Sequence, residues 1–441
     1  MQMNREQQIY RRIWAPVIMD FAWWTLQEAV RSGKERLYFL ARDGYQAYLA
    51  ASTMAEWQHL PVECRYLEGS RYAWRLPENH LLGKKAIARL CAGGIDVSLR
   101  KILQRGGLTA EDISEIAESL CMTEALDQRL TYAQVKALKP VLCESERLLS
   151  MIRHHSVEAY QTTIAYFQQE GLFDHIPCAI VDSGWTGSMQ QTLAHLLRSA
   201  APEREHQTEG YYFGLYELPP EADRRRYHTF FFVPYGDIRR KARFSNCLFE
   251  AVFSEPRGMT IGYERKNGRL ISLRETAENP NAGRIRRNIT LLKEALEEAA
   301  GTYIVDTKTN VDGSVSEGKR KKKDRCREDP DIRKHLSRLQ RLMSHPSPEE
   351  AGCLGTYLFS DDVWSTSLQQ VAQPLTGEEI RGHHVITRFL LMTGIGRGAL
   401  KDSAWIEGSV VNFGRGICRH LWNVRLYKYL IYVRKRLKAM K

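Results

Sequence analysis

Two short segments combine residue types suited to a phosphorylated ligand. In AIVDSGWTGSMQQTL (179–193) an apolar run delivers Asp182 and Ser183 to Gly184, Thr186, Gly187 and Ser188, ahead of a helical pattern. Glycines let a backbone come close to phosphate oxygens. Successive N–H groups and a helix N-terminus supply partial positive charge, and the hydroxyls of Thr186 and Ser188 add donors. Asp182 falls where an open α/β sheet binds ligands, at the C-terminal end of a strand. A purely structural reading stays open, in which the glycines make a turn and Asp182 and Ser188 cap a helix. Trp185 would then pack against that helix rather than beneath a ligand. The second segment, LARDGYQAY (40–48), has the same design. Arg42 can hold a phosphate or diphosphate with its planar fork, Asp43 can bind a magnesium-bridged ligand or accept a proton, and Gly44 lets the chain turn. The alternative for that pair is a surface Arg–Asp contact after a strand. Ser70 and Arg71 close a further strand-like run and would add a cation at the same edge. Two such edges imply one cleft.

The elements that must position these residues are legible as punctuated apolar runs. From Pro16 to Arg31 the pattern is that of a buried helix starting at its proline and stopped by Gly33. LYFLA (37–41) reads as a strand buried on both faces, followed by a helical YQAYLAASTMAEW. VECRYLEG (62–69), PCAIVDS (177–183), GYYFGLYEL (210–218) and YHTFFFVPY (227–235) complete a β-α-β series. Helical periodicity with Gly-Gly breaks at 93–94 and 106–107 marks residues 79–170 as a helical insertion, and Thr109 with Asp112 resembles a capping box. The expected organisation is 1–78 and 171–274 as two parts of one α/β domain split by 79–170. A charged helical and loop segment (275–346) and a mainly helical C-terminal region with a basic tail (347–441) follow.

Composition bounds the classes. The chain has 441 residues, a formal net charge of +12, 43% hydrophobic and 26% charged residues, an ordinary globular balance with ample chain for a core. Nine scattered cysteines with no C-x-x-C pair argue against a zinc ribbon or a disulfide framework. The polar N-terminus lacks the apolar run of a signal peptide, and no apolar stretch reaches the roughly 18–20 residues of a membrane span. A cytoplasmic location is expected. The basic excess favours an anionic partner, whether nucleic acid, a phosphorylated substrate or a lipid surface.

The strand-Arg-Asp-Gly-helix segment (37–50), the Ser70-Arg71 pair, VDSGWTGSMQ (181–190) and LFEAVFSEPRGMTIGY (248–263) together resemble a bacterial polysaccharide-biosynthesis family often associated with a haloacid-dehalogenase-type phosphatase. The pattern spans most of residues 10–265 and recurs weakly at 347–362. The same region resembles a divergent type I phosphoribosyltransferase, which implies a Rossmann-like parallel sheet. By that resemblance LYFLARDGYQAYLA is the diphosphate loop and AIVDSGWTGS the strand and loop for ribose and 5-phosphate. It further implies phosphoribosyl pyrophosphate as donor, Mg2+, a lipid-linked glycan acceptor and a phosphatase partner that leaves a ribofuranosyl unit, as in O-antigen or capsule assembly. The usual donor signature has two adjacent acids and three residues before Thr-Gly. Here it reads Asp182-Ser183 and only Gly184-Trp185, so one ribose-binding carboxylate is replaced and the loop is shorter.

The implied chemistry needs cations at the departing diphosphate and a carboxylate to take the acceptor proton. Arg42, Arg71 and Mg2+ would serve the first. Asp43, Asp182 and Glu250 are candidates for the second, with Asp182 preferred for ribose and Asp43 and Asp182 as metal ligands. Glu250 reads equally as a strand residue paired with an arginine. Three rivals are weighed against this. A haloacid-dehalogenase-like phosphatase needs an Asp followed two residues later by a second Asp, and Asp43-Gly44-Tyr45 lacks the pair. A nucleotide-sugar glycosyltransferase would share the architecture. A nucleic-acid-binding or scaffold protein would draw on KRKKKDR (319–325), but a charge run without a nucleic-acid motif is ordinarily a solvated segment. The tail 421–441, aromatic and basic without an acid, reads either as an anchor on the anionic inner leaflet or as a terminal helix packed on the core.

Overall fold

In the computed structural model the described residues are 3–91, 97–203, 208–303, 329–359, 368–392 and 401–440. The Gly93-Gly94 break and the KRKKKDR run lie outside them. Five strands, β1 (Arg36–Leu40), β2 (Glu63–Leu67), β3 (Cys178–Trp185), β4 (Gly210–Leu215) and β5 (Tyr227–Phe232), form one sheet in the order β2-β1-β3-β4-β5. Every neighbouring pair is parallel. This is an α/β fold in a doubly wound strand order, with its topological switch between β1 and β3.

All five residues of β1 are buried, and the alternation of a strand sends them into two layers. Leu37 and Phe39 join the core cluster of the helices Ala15–Arg31 and Tyr45–Trp57. Tyr38 and Leu40 join the cluster of the helices Arg71–Leu82, Glu146–Gln169 and Ser188–Ala200. Val181 and Ile180 of β3 divide in the same way. A separate hydrophobic cluster gathers residues between Ile87 and Ile152. Within that stretch Thr109 and Asp112 form a reciprocal capping box. The C-terminal part adds Leu339, Leu342, Met343, Leu354 and Trp405 to the main core, and its Leu375, Ile380, Ile406, Val410, Leu421 and Val424 gather in a smaller cluster of their own.

Three local expectations change. The first long helix does not start at Pro16. Helical structure begins at Arg5 and passes through a π turn at Tyr10–Trp14, where Ala15 N–H bonds to Tyr10 O. The missing N–H of Pro16 thus falls where the i→i−4 ladder is already interrupted. β3 runs to Trp185, two residues beyond the expected 183, because Gly184 and Trp185 pair with Gly214 and Leu215 of β4. Within 248–263, Asn246–Phe253 is a helix capped by Ser245, so Glu250 is helical and not a strand residue. The chain then forms an antiparallel hairpin, β6 (Thr260–Lys266) with β7 (Arg269–Arg274).

Candidate active site at the switch point

Because β1, β2 and β3 are adjacent and parallel, the segments that follow them emerge at one edge of the sheet. There they line a cavity of about 220 Å³. Arg42, Asp43, Ser70, Arg71, Asp182, Gly184 and Glu250 are on its wall. Leu358 and Phe359, from the C-terminal region, close another side. Gly44, Ser183, Trp185, Thr186, Gly187 and Ser188 are not on this wall but support or border it.

The two loops are tied together by side chains. Ser183 donates its hydroxyl to the carboxylate of Asp43, linking the end of β3 to the loop after β1. Trp185 is buried among aromatic rings, with Phe244 at 5.1 Å and Phe249 at 5.5 Å between centroids. Its indole N–H donates to Glu250. Trp185 therefore packs in the aromatic core and holds Glu250, a carboxylate on the cavity wall. The alternation along β3 explains this, since Val181, Ser183 and Trp185 share one face and Asp182 takes the other.

Other roles also differ from expectation. The hydroxyl of Ser70 accepts from Ala73 N–H at 3.0 Å and donates to Thr260 O at 2.6 Å, so it is spent on the backbone as a helix cap and is not a ligand donor. Gly184 is a strand residue at φ +134°, and a Cβ there would sit 2.0 Å from Gly214 O. Its small size is required by the close approach of β4, and the same residue forms part of the cavity wall. Gly187, at φ +65°, caps the helix Ser188–Ala200, and a Cβ would strike the ring of Tyr227. A Cβ on Gly44 would meet Leu40 O at 2.3 Å, which accounts for glycine at the tight exit from β1.

Electrostatics at the cavity are dominated by three carboxyl groups facing two guanidinium groups. Burial and the charge of Glu250 push the Asp43 carboxyl up to about 7, against the pull of Arg42 and Arg71. Burial and the charge of Asp43 raise Asp182 well above the usual carboxylate range. Mutual repulsion of this kind is relieved by a divalent cation. Mg2+ takes hard oxygen donors, typically one or two carboxylates completed by phosphates and water. Asp43 and Asp182 fit that donor set. Among the described residues no group of three or more His, Cys, Asp or Glu is placed to hold a metal by itself.

Comparison of the sequence with known protein-family models and with curated proteins finds no match. One cation near the site escaped the sequence reading. Arg75, one turn after Arg71 on the helix Arg71–Leu82, reaches the start of the helix Ser188–Ala200. Its signal was present as an i, i+4 arginine pair after a strand.

Proposed function

We propose that the chain transfers a 5-phosphoribosyl group from phosphoribosyl pyrophosphate to a hydroxyl of a glycan acceptor, as the resemblance to the polysaccharide-biosynthesis family implies. The observation that supports this is the meeting of the β1 and β3 loops across the switch point, with carboxylates between them and Arg42 and Arg71 at the rim. Such a cleft suits a ligand charged at both ends. In this reading Arg42 and Arg71 stabilise the diphosphate as its bond to ribose C1 breaks. Asp182, with Asp43, orients the ribose and holds Mg2+, which when bound neutralises the leaving diphosphate. Positioning C1 against the acceptor oxygen removes much of the entropic barrier to the new bond. Glu250, fixed by Trp185, receives the proton released by the acceptor hydroxyl.

Location forms part of the proposal. Among the described residues no helix is long and apolar enough to cross a membrane. The helix Ile417–Ala439 is anchored by Leu421 and Val424 in the C-terminal hydrophobic cluster and by the stack of Tyr432 on Tyr216, with centroids 5.3 Å apart. Trp422, Leu430 and Leu437 on the same helix are exposed, as are Arg434, Arg436 and Lys438. That combination supports a peripheral site at an anionic leaflet, where a lipid-linked acceptor would be found.

The test is incubation with phosphoribosyl pyrophosphate, Mg2+ and a panel of glycan acceptors. The expected result is diphosphate release matched by an acceptor mass gain of one phosphoribosyl group. Asp182→Ala should abolish it, and Glu250→Gln should lower turnover roughly 10²–10⁴-fold. Transfer from a nucleotide sugar, or phosphate release without an acceptor, would overturn the proposal.

A further inference from the structure

A groove of about 530 Å³ lies between the first helical segment, Arg5–Ile9 with its π turn, and the helix Pro330–Ser344. It shares no lining residue with the cavity at the switch point. Arg5 and Arg12 reach it from the first segment, and Arg338 and Arg341, three residues apart, reach it from the facing helix. Ile9 and Ile13, both buried, line it between the charges.

The acid on its wall is already spent. Glu350 is buried and accepts from both terminal nitrogens of Arg341 at 2.5 Å and from Ser347 N–H at 2.8 Å. At the edge Arg5 pairs with Glu349 at 3.1 Å, a contact between exposed side chains that contributes little. Arg12 and Arg338 are exposed, and among the described residues their side chains have no ion pair and no hydrogen-bond partner. Two guanidinium forks from separate elements thus border one concavity without a counter-ion.

Shape and surroundings narrow what would complete them. The volume falls in the range of small-ligand sites, about 300–1,000 Å³. On the helices Arg5–Ile9, Pro330–Ser344 and Pro348–Gly355 no large apolar side chain is exposed, so the groove lacks the apolar rim with which a peripheral element enters a bilayer. A guanidinium fork pairs bidentately with a phosphate group. Two forks on opposite walls match an anion with more than one such group.

We infer that this groove is an anion site distinct from the switch-point cavity, which takes a small solute carrying two or more phosphate groups on Arg12 and Arg338. Arg5 and Arg341 add positive potential on the same walls, and the site needs no metal. It rests on no part of the transfer reading.

The experiment is calorimetric titration of the full chain with inorganic triphosphate at pH 8, in about 0.15 M salt, where loosely attracted ions are screened, and with a chelator present. Without a divalent cation the carboxylates of Asp43, Asp182 and Glu250 disfavour that anion in the other cavity. The native chain should bind triphosphate, and inorganic monophosphate at least tenfold more weakly. Arg12→Gln with Arg338→Gln should weaken triphosphate roughly tenfold or more at an unchanged thermal midpoint, because both side chains are exposed. Arg42→Gln with Arg71→Gln should stay within about twofold of native. Should the Arg12 and Arg338 glutamine pair not fold, Arg12→Lys with Arg338→Lys, which keeps the charges and loses the forks, must bind several-fold more weakly than the native chain. No binding by the native chain, equal affinity for monophosphate, native affinity in the variant that folds, or loss of binding in the Arg42 and Arg71 pair would each overturn the inference. All four leave the transfer reaction, tested by Asp182→Ala, standing, and failure of that reaction leaves the groove standing.

Discussion

At the scale of single residues, the cavity trades stability for charge. The native Asp43 carboxyl holds its proton to about 7, whereas an unfolded chain releases it near 3.9. The folded protein therefore binds that proton more tightly. The associated stabilisation is fully present below about pH 4 and is lost as pH rises through about 7. Asp182, raised by burial and by Asp43, acts in the same direction. Asp43→Asn mimics the protonated acid and should be more stable than the native chain at pH 8, by on the order of 2–4 kcal/mol, with the difference vanishing near pH 4. Urea unfolding across that range measures it. A difference that grows toward low pH would contradict the electrostatic picture. Mg2+ and diphosphate should narrow the difference at pH 8, since they neutralise the same carboxylates. Asp43, Asp182 and Arg42 were legible as residues of one sheet edge because they end apolar runs, and they do line one cavity. The capping bonds of Ser70 and the Trp185–Glu250 contact were not legible, because the partners a hydroxyl or an indole already has are invisible in one dimension.

At the scale of elements, the five strands stood out as short apolar runs ended by glycine, serine or charge, and each is found within a few residues of its expected bounds. The end of β3 did not, because its last two residues are strand only by pairing with β4, a segment 30 residues away. Glu250 was ambiguous for a related reason. LFEAVF is apolar enough for either element, and it is the Ser245 cap and the packing of Phe249 on Trp185 that make it helix. The terminal helix is packed, as one reading of the tail had it, and it leaves aromatic, apolar and basic side chains exposed, which the anchor reading needs and a binding assay must test. The native chain should sediment with vesicles containing phosphatidylserine and be released by salt, each well-placed cation contributing on the order of 1 kcal/mol. Replacing Trp422, Leu430 and Leu437 together by serine should remove most of that binding without lowering the thermal midpoint. These side chains are 60%, 46% and 57% exposed, so the core loses little. Equal binding by the triple variant would sink the surface reading.

At the scale of the whole molecule, the C-terminal region belongs to the α/β core although nothing in its charged composition announces it. Trp405 is fully buried and donates to Met343 O at 2.8 Å. With Leu291, Leu292, Leu339 and Leu342 it packs in the cluster that holds Trp14 and Phe249. A chain ended at residue 274 should consequently lack a cooperative unfolding transition by calorimetry, because it exposes one side of that cluster. A sharp transition near the native midpoint would show that the α/β part folds alone.

The sequence by itself determined the strand series, the parallel α/β class, the charged loops at the strand ends and the absence of a long apolar span. These follow from local periodicity and from the residues that interrupt it. Only the tertiary structure decided that Trp185 holds Glu250, that Ser70 is spent on the backbone, that Leu358 and Phe359 wall the cavity, and that Arg75 bonds to Ser188 at the start of the helix after β3. Each of those depends on which partners a side chain meets across a long stretch of chain, and such pairings are set by packing rather than by pattern.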